Sequence, residues 1–327
     1  MRRKLHAQFL AVTGALALGW PGLGLNPAAM AAESLTAEAG SQRTQWTLSY
    51  QGKPVMVYVF DPQKFKPYVK ELNTLKGYGV LRDAPEDHLH HHALMYGIKV
   101  NDINFWEETA GCGVEKVVET SVPEISSTTT GQPEARLVQT LFWLSPEDAF
   151  FPNAHTQPLL IERRTLTLTL NTNNQETALH WRSEFEVGSK TGTVTLTGFN
   201  YHGLGMRFLK ELDALAVHFT SAGQLGVEPG KQVVSAFPWE AVAFDPPGKP
   251  ATIALFGGLD NGRGESRFFS MRTPFAYLSA TQGLDREPLA YHRGEHFELN
   301  YLIAIYPEVK TVEALANRNR SWVSSAR

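Results

Sequence analysis

The sequence predicts an all-β protein: a large antiparallel β-sandwich, supersandwich-like, with few short helices. Three observations point there. Residues 165–170 and 193–197 alternate strictly between threonine and an aliphatic side chain, so each segment turns one face to a core and the other to a wetter surface. Segments rich in β-branched and aromatic residues recur about every ten residues with few helical patterns between them, as in a sandwich rather than in βαβ units. No fixed-period repeat runs through the chain, which counts against a propeller or a solenoid.

Taken in order, the chain opens with Arg2, Arg3 and Lys4, an apolar stretch over 9–25, and Ala29-Met30-Ala31, a small-x-small cleavage pattern. Residues 1–32 therefore read as a secretory signal peptide, with a mature start near Ala32 or Glu33 and a periplasmic or secreted destination. Pro21 and Pro27 weigh against an uncleaved anchor, and no later stretch reaches the roughly 20 apolar residues of a membrane span, so no integral membrane segment is expected after cleavage. Residues 33–45 are small and polar and read as a linker, and 46–327 as a single β-sandwich domain. Strands are predicted over 46–50, 55–60, 94–100, 114–120, 135–144, 161–171, 177–187, 193–200, 215–220, 232–239, 251–257, 275–280 and 295–306. Asn171-Thr172-Asn173-Asn174 reads as a hairpin connection. The glycine-rich run 257–264 lacks the lysine of a phosphate loop and reads as a long turn. Near the C-terminus Thr311 caps a predicted helix through Val312, Leu315 and Trp322.

A net charge of -3, with lysine and arginine dispersed over 327 residues, selects no charged partner and argues against nucleic acid. Eighteen Phe, ten Tyr and seven Trp suit both packed sheets and sugar binding, so aromatic content alone does not choose between them. Cys112 is the single cysteine, which excludes an internal disulfide framework; flanked by glycines, it reads as a buried free thiol. Nothing in the sequence bears on oligomeric state.

Four of the eleven histidines fall within five positions: His88, His90, His91 and His92. In an extended strand His88, His90 and His92 would project to one side and His91 to the other. Two chemistries compete for them. His88 and His90, completed by His92 or by a distant His202, Glu107 or His292, would hold a divalent metal that polarises a substrate oxygen. Alternatively His90 or His91 acts as general acid or base beside Asp87 or Glu108, while neighbouring groups bind sugar hydroxyls. Trp106 beside Glu107 and Glu108 is a candidate sugar platform. Tyr201 and His202 are candidate binding groups at a sheet mouth, with Gly203 and Gly205 in a turn and Arg207 beyond it. Core packing and surface ion pairing are the competing explanations for these residues, and for Pro238-Trp239-Glu240 as well.

The ordered set Phe65-Lys66-Pro67-Tyr68, Asp87-His88-Leu89-His90-His91-His92-Ala93-Leu94, the segment from Val100 to Trp106, and Tyr201-His202-Gly203-Leu204-Gly205-Met206-Arg207 resembles the PmoA-like family of secreted bacterial proteins. That family's central motif is Asp-His-Pro-His-His-Arg-Gly-Leu, from which Leu89, His92 and Ala93 depart; His202 departs from a Gly in the later element. Where the family's Arg would contact substrate, His92 would do so with altered geometry and pH dependence. Methane oxidation, suggested by the family name, requires membrane-spanning helices that this sequence lacks. The resemblance instead implies, by association, carbohydrate metabolism.

The expected protein is thus a carbohydrate-active one with a small-molecule or glycan substrate, a hydrolase, lyase or epimerase whose catalytic groups are His90, His91 and Asp87. Substrate binding is expected from His92, Trp106, Tyr201, His202 and Arg207, and a divalent metal, if used, from His88 and His90. A non-catalytic carbohydrate-binding or cell-envelope interaction protein is the alternative. A cupin-like metal oxygenase fits less well, because no Glu follows His88-x-His90 at the required distance.

Overall fold

The computed structural model describes residues 34–259, 261 and 266–325. The signal-peptide reading of 1–32, and most of the glycine-rich turn after Gly257, lie outside the described residues.

Among the described residues the strands form two large antiparallel sheets and one small one. A nine-stranded sheet runs, in spatial order, Leu35–Ala39, Gln45–Tyr50, Lys53–Val59, Tyr68–Leu72, Leu94–Gly97, Gly203–Arg207, Tyr277–Thr281, Arg267–Met271 and Gln232–Ala236. The main path of a ten-stranded sheet runs Gly223–Gln224, Val217–Thr220, Trp239–Phe244, Ala251–Gly257, His296–Tyr306, Glu176–Val187, Leu160–Asn171, Pro133–Leu144 and Val114–Thr120, and Glu124–Ser127 pairs with Pro133–Leu144 off that path. The small sheet joins Leu289–His292, Thr193–Thr197, Lys99–Val100 and Ile103–Asn104. No helix among the described residues is long and apolar enough to cross a membrane.

Period-two alternation sorts the side chains into layers. Leu48, Met56, Tyr58, Leu94, Tyr96, Leu204, Met206 and Leu278 of the nine-stranded sheet meet Leu137, Leu141, Trp143, Leu166, Leu168, Leu170, Leu179 and Trp181 of the ten-stranded sheet in one buried cluster. The threonine-leucine alternation predicted this directly: Leu166, Leu168 and Leu170 all point inward. The Asn171 hairpin forms as expected, with Asn171 opposite Glu176. The C-terminal helix Val312–Ser325 starts where predicted, the Thr311 hydroxyl accepting from the Ala314 N–H at 3.2 Å. Its Leu315 and Trp322 close the outer face of the ten-stranded sheet.

Three expectations need correction. Leu35–Ala39, read as linker, is an edge strand paired with Gln45–Tyr50; its alternating small and polar residues hid the pattern. Gly203–Arg207, read as a turn, is a central strand between Leu94–Gly97 and Tyr277–Thr281. Its glycines serve close approach instead of a bend. A Cβ on Gly203 would meet the Ala280 carbonyl oxygen at 2.0 Å, and one on Gly205 the Tyr277 hydroxyl at 1.8 Å. Finally, His88 to His92 form consecutive turns ahead of the Leu94–Gly97 strand, so the projection of alternate histidines to one side does not occur.

Candidate functional site

The outer face of the nine-stranded sheet carries a second apolar layer, Val57, Val59, Tyr68, Met95, Trp106, Phe269, Met271, Phe275 and Tyr277. Onto it fold the histidine turns and the segment around Trp106. Between them lies a cavity of about 400 Å³, lined by His88, His90, His91, Trp106, Glu107 and Tyr201, and by Gln232, Phe269, Met271, Pro274, Phe275 and Tyr277 from later in the chain.

The turns are tied down by backbone bonds: His88 N–H to Pro85, His91 N–H to His88 and Ala84 N–H to the His91 carbonyl. They gather three imidazoles. His91 stacks on His88 with centroids 4.5 Å apart and meets His90 edge-on at 4.6 Å. His91 is buried among Trp106, Phe275 and Tyr277. Burial, with smaller contributions from its charged neighbours, brings it down to about 2, so it is neutral at ordinary pH. His90 is also lowered, by burial first and the Lys66 charge second.

Asp87 does not face the cavity. One of its oxygens accepts from Arg207 Nη2 at 2.8 Å and lies 3.2 Å from His88 Nδ1. Burial is the largest single influence and opposes its charge, but the Arg207 and His88 contacts together hold it at about 2. Arg207 is itself buried, its guanidinium 3.3 Å from the Phe275 ring centroid. It anchors the histidine turns to the central strand instead of reaching the cavity, which corrects its expected substrate contact.

His92 likewise departs from expectation. It is buried, its Nδ1 is 2.7 Å from Asp83 and its Nε2 is 3.0 Å from Glu108, and it stacks on Tyr68 at 3.9 Å. Both nitrogens are used, which leaves none for a substrate. Burial disfavours its charge, yet Asp83 and Glu108 raise it overall. Glu108, against the cost of its own burial, is brought to about 2 by His92 and Lys66. The Lys66-Pro67-Tyr68 element is the clamp beneath this pair. Lys66 donates to the Trp106 carbonyl and to Glu108, both at 2.9 Å, and the Tyr68 hydroxyl donates to Asp83 at 3.1 Å. The Pro67 carbonyl accepts from the buried Arg164 at 3.2 Å.

Trp106 and Tyr201 both line the cavity, in different ways. Trp106 is 1% exposed, one face covered by His202 in a near-parallel stack at 4.9 Å, so it forms a wall and not an open platform. His202 sits behind that wall, lowered to about 3 by burial, and does not line the cavity. Tyr201 is half-buried, edge-on to Trp106, and continues into the exposed Phe199 through a near-parallel contact at 5.6 Å. Four buried polar atoms on lining residues have no hydrogen-bond partner among the described residues: His91 Nδ1, Trp106 Nε1, the Tyr277 hydroxyl, and His88 Nδ1, which has only its ion-pair contact with Asp87.

Among the described residues no three His, Cys, Asp or Glu side chains are gathered as a metal-binding set. His292, a possible distant ligand, hydrogen-bonds Thr193 on the small sheet. Cys112 is buried and free, as expected. The sequence reading missed Gln232, Phe269, Met271, Phe275 and Tyr277; residues 275–280 carried only a strand signal, and nothing local marked their outward face as part of a site.

A model of a family of unknown function, DUF6807, matches residues 45–319. The chain belongs to that family. Membership in DUF6807 overturns the PmoA-like resemblance, since no PmoA-like family is found, and the implications drawn from that resemblance lapse with it. No curated protein matches the chain. Solved structures similar to it include the GH36 α-galactosidase AgaB from Geobacillus stearothermophilus, at 12% identity and a TM-score of 0.48, covering 84% of this chain and 41% of that one. A glycoside hydrolase family 97 enzyme from Pseudoalteromonas sp. strain K8, in complex with panose, is similar at 7% identity and a TM-score of 0.43, covering 84% and 36%. The DUF6807 chain thus spans about two fifths of the length of these structures.

Proposed function

We propose that this protein binds a carbohydrate in the cavity beside the histidine turns and carries out acid-base chemistry on it, as a hydrolase, lyase or epimerase. The observation that carries this reading is the pairing of aromatic walls with unpartnered polar atoms. Tyr201, Trp106, Phe275 and Tyr277 offer the apolar surface that a sugar's C–H face needs, and His91 Nδ1, Trp106 Nε1 and the Tyr277 hydroxyl are buried without partners. A buried polar atom left unsatisfied costs about 1–3 kcal/mol, a penalty that a polyhydroxylated ligand relieves.

Within the cavity the roles divide by environment. His91, held neutral, is a hydrogen-bonding group. Asp87 orients the turn through Arg207 and His88 and is a positioning residue. His90 is the proton-transfer group, with Glu107 the exposed carboxylate on the same wall. Because burial and Lys66 lower His90 below its ordinary value of 6.5, its neutral form prevails at neutral pH, as a general base requires. The residues therefore support proton transfer without a step through a metal.

Calorimetric titration with neutral saccharides, followed by turnover of chromogenic glycosides, tests this reading. Tyr201→Ala should weaken binding at least tenfold. His90→Ala should abolish turnover while leaving the melting temperature within a few degrees of wild type, and the acid limb of the wild-type rate profile should fall below pH 6.5. Binding without turnover in wild type would select the non-catalytic alternative. Undiminished binding in Tyr201→Ala would remove the cavity from consideration.

A further inference from the structure

A second and wider cavity, of about 750 Å³, opens on the other side of the histidine turns. His88, His90 and Glu107 line both cavities and form the ridge between them. The first cavity is walled by aromatic rings. The second is bordered by the apolar Phe65 and Leu89, by Lys64 and Thr109, and by the acidic Glu86, Asp87 and Glu108. Leu89, 67% exposed, presents apolar area at the border of this second cavity. Both volumes fall within the roughly 300–1,000 Å³ of ligand pockets.

We infer that the ligand straddles this ridge: a neutral glycan or glycoside of at least two units, with one unit in the aromatic cavity, the next against Leu89 and Phe65, and the linkage between them crossing His88, His90 and Glu107. The inference rests on the carbohydrate reading and specifies its substrate class. A ligand confined to the first cavity would touch the ridge from one side only. A two-unit ligand places its linking oxygen beside the ridge imidazoles and the Glu107 carboxylate, which a terminal unit bound alone does not require.

The test separates the two subsites by blocking the outer one. Lys64→Trp and Thr109→Trp each fill the second cavity from positions that line it and do not line the first. Glucose and galactose serve as one-unit probes, and maltose, cellobiose and lactose as two-unit probes, with affinities measured by calorimetry on the full chain and folding checked by thermal melting. Wild type should bind a two-unit probe at least tenfold more tightly than its one-unit fragment. Either tryptophan should remove that advantage and leave one-unit affinity within twofold. Two-unit affinity unchanged in both tryptophan variants, or one-unit affinity falling in parallel, would overturn the straddling arrangement while the carbohydrate reading stands. If wild type binds none of the five sugars, the carbohydrate reading falls, and this inference with it.

Discussion

The outer face of the ten-stranded sheet mixes alanines, Ala178, Ala241, Ala243, Ala254 and Ala304, with the rings of Phe219, Trp239, Phe256 and Tyr306, and the C-terminal helix lies against it with Leu315 and Trp322. On the outer face of the nine-stranded sheet the layer is also largely apolar, but the histidine turns arch over Phe269, Phe275 and Tyr277 with a cavity left beneath. The alanines let the helix seat closely and bury its apolar stripe, and Arg318 donating to Glu176 at 2.9 Å and the Trp322 indole donating to the Gly257 carbonyl at 3.3 Å fasten it there. The contrast teaches that both faces exclude water over most of their area, but on the open face His91 Nδ1, Trp106 Nε1 and the Tyr277 hydroxyl, all without partners, gather on the walls of one cavity, whereas the partnerless Asn319 Oδ1 of the closing helix lies apart from it, and that gathering distinguishes a site from a lid.

If that contrast is right, damage to the closed face should register as lost stability and damage to the open face as lost binding. The largest expected effect is Trp322→Ala, which removes a buried side chain whose indole also meets His180 at 4.7 Å. It should cost about 3–5 kcal/mol in chemical denaturation, with affinity for the two-unit sugars unchanged under conditions where the variant remains folded. Next comes Gly205→Ala. The added methyl would stand 1.8 Å from the Tyr277 hydroxyl and 3.1 Å from the Trp106 ring, so both walls must shift. Overpacking of this kind should cost about 1–3 kcal/mol and weaken sugar binding at least tenfold. Lost binding with unchanged stability would mean the sheet absorbs the methyl, and retained binding would show that the floor is not part of the site.

The smallest effect is a pH dependence of stability from the His92–Glu108 pair. His92 is raised in the folded chain, so its contribution is complete below its unfolded value near 6.5 and is lost as pH rises through the raised folded value. Glu108 is lowered to about 2 from 4.5, so its contribution is present above 4.5 and is lost as pH falls toward 2. Denaturation midpoints should therefore be highest between about pH 4.5 and 6.5, and His92→Gln should flatten both slopes. Unaltered slopes in that variant would assign the pH response to another pair.

Alternation along single strands made the sandwich legible, because inward and outward positions are encoded two residues apart. The Leu35–Ala39 and Gly203–Arg207 strands escaped because their residues are small, and strand preference is carried by side-chain bulk. The histidine run was legible as an address. Its geometry was not, since the bonds that fold it into turns are backbone bonds from Ala84, His88 and His91, which side-chain identity does not announce. His92 looked equivalent to its neighbours until Asp83 and Glu108 took both of its nitrogens. Arg207 meets Asp87 across 120 residues, a separation that no local pattern reveals.

The walls of the aromatic cavity are drawn from positions as early as His88 and as late as Tyr277. Nothing resembling the site therefore exists until distant strands have paired. Such long-range closure is the slow part of folding for a sheet protein, because loop entropy is lost before any contact repays it. Recognition here belongs to the finished molecule. A saccharide that binds the assembled cavity has no foothold on intermediates lacking the Tyr277 strand, so its whole binding free energy pulls the folding equilibrium toward the native state.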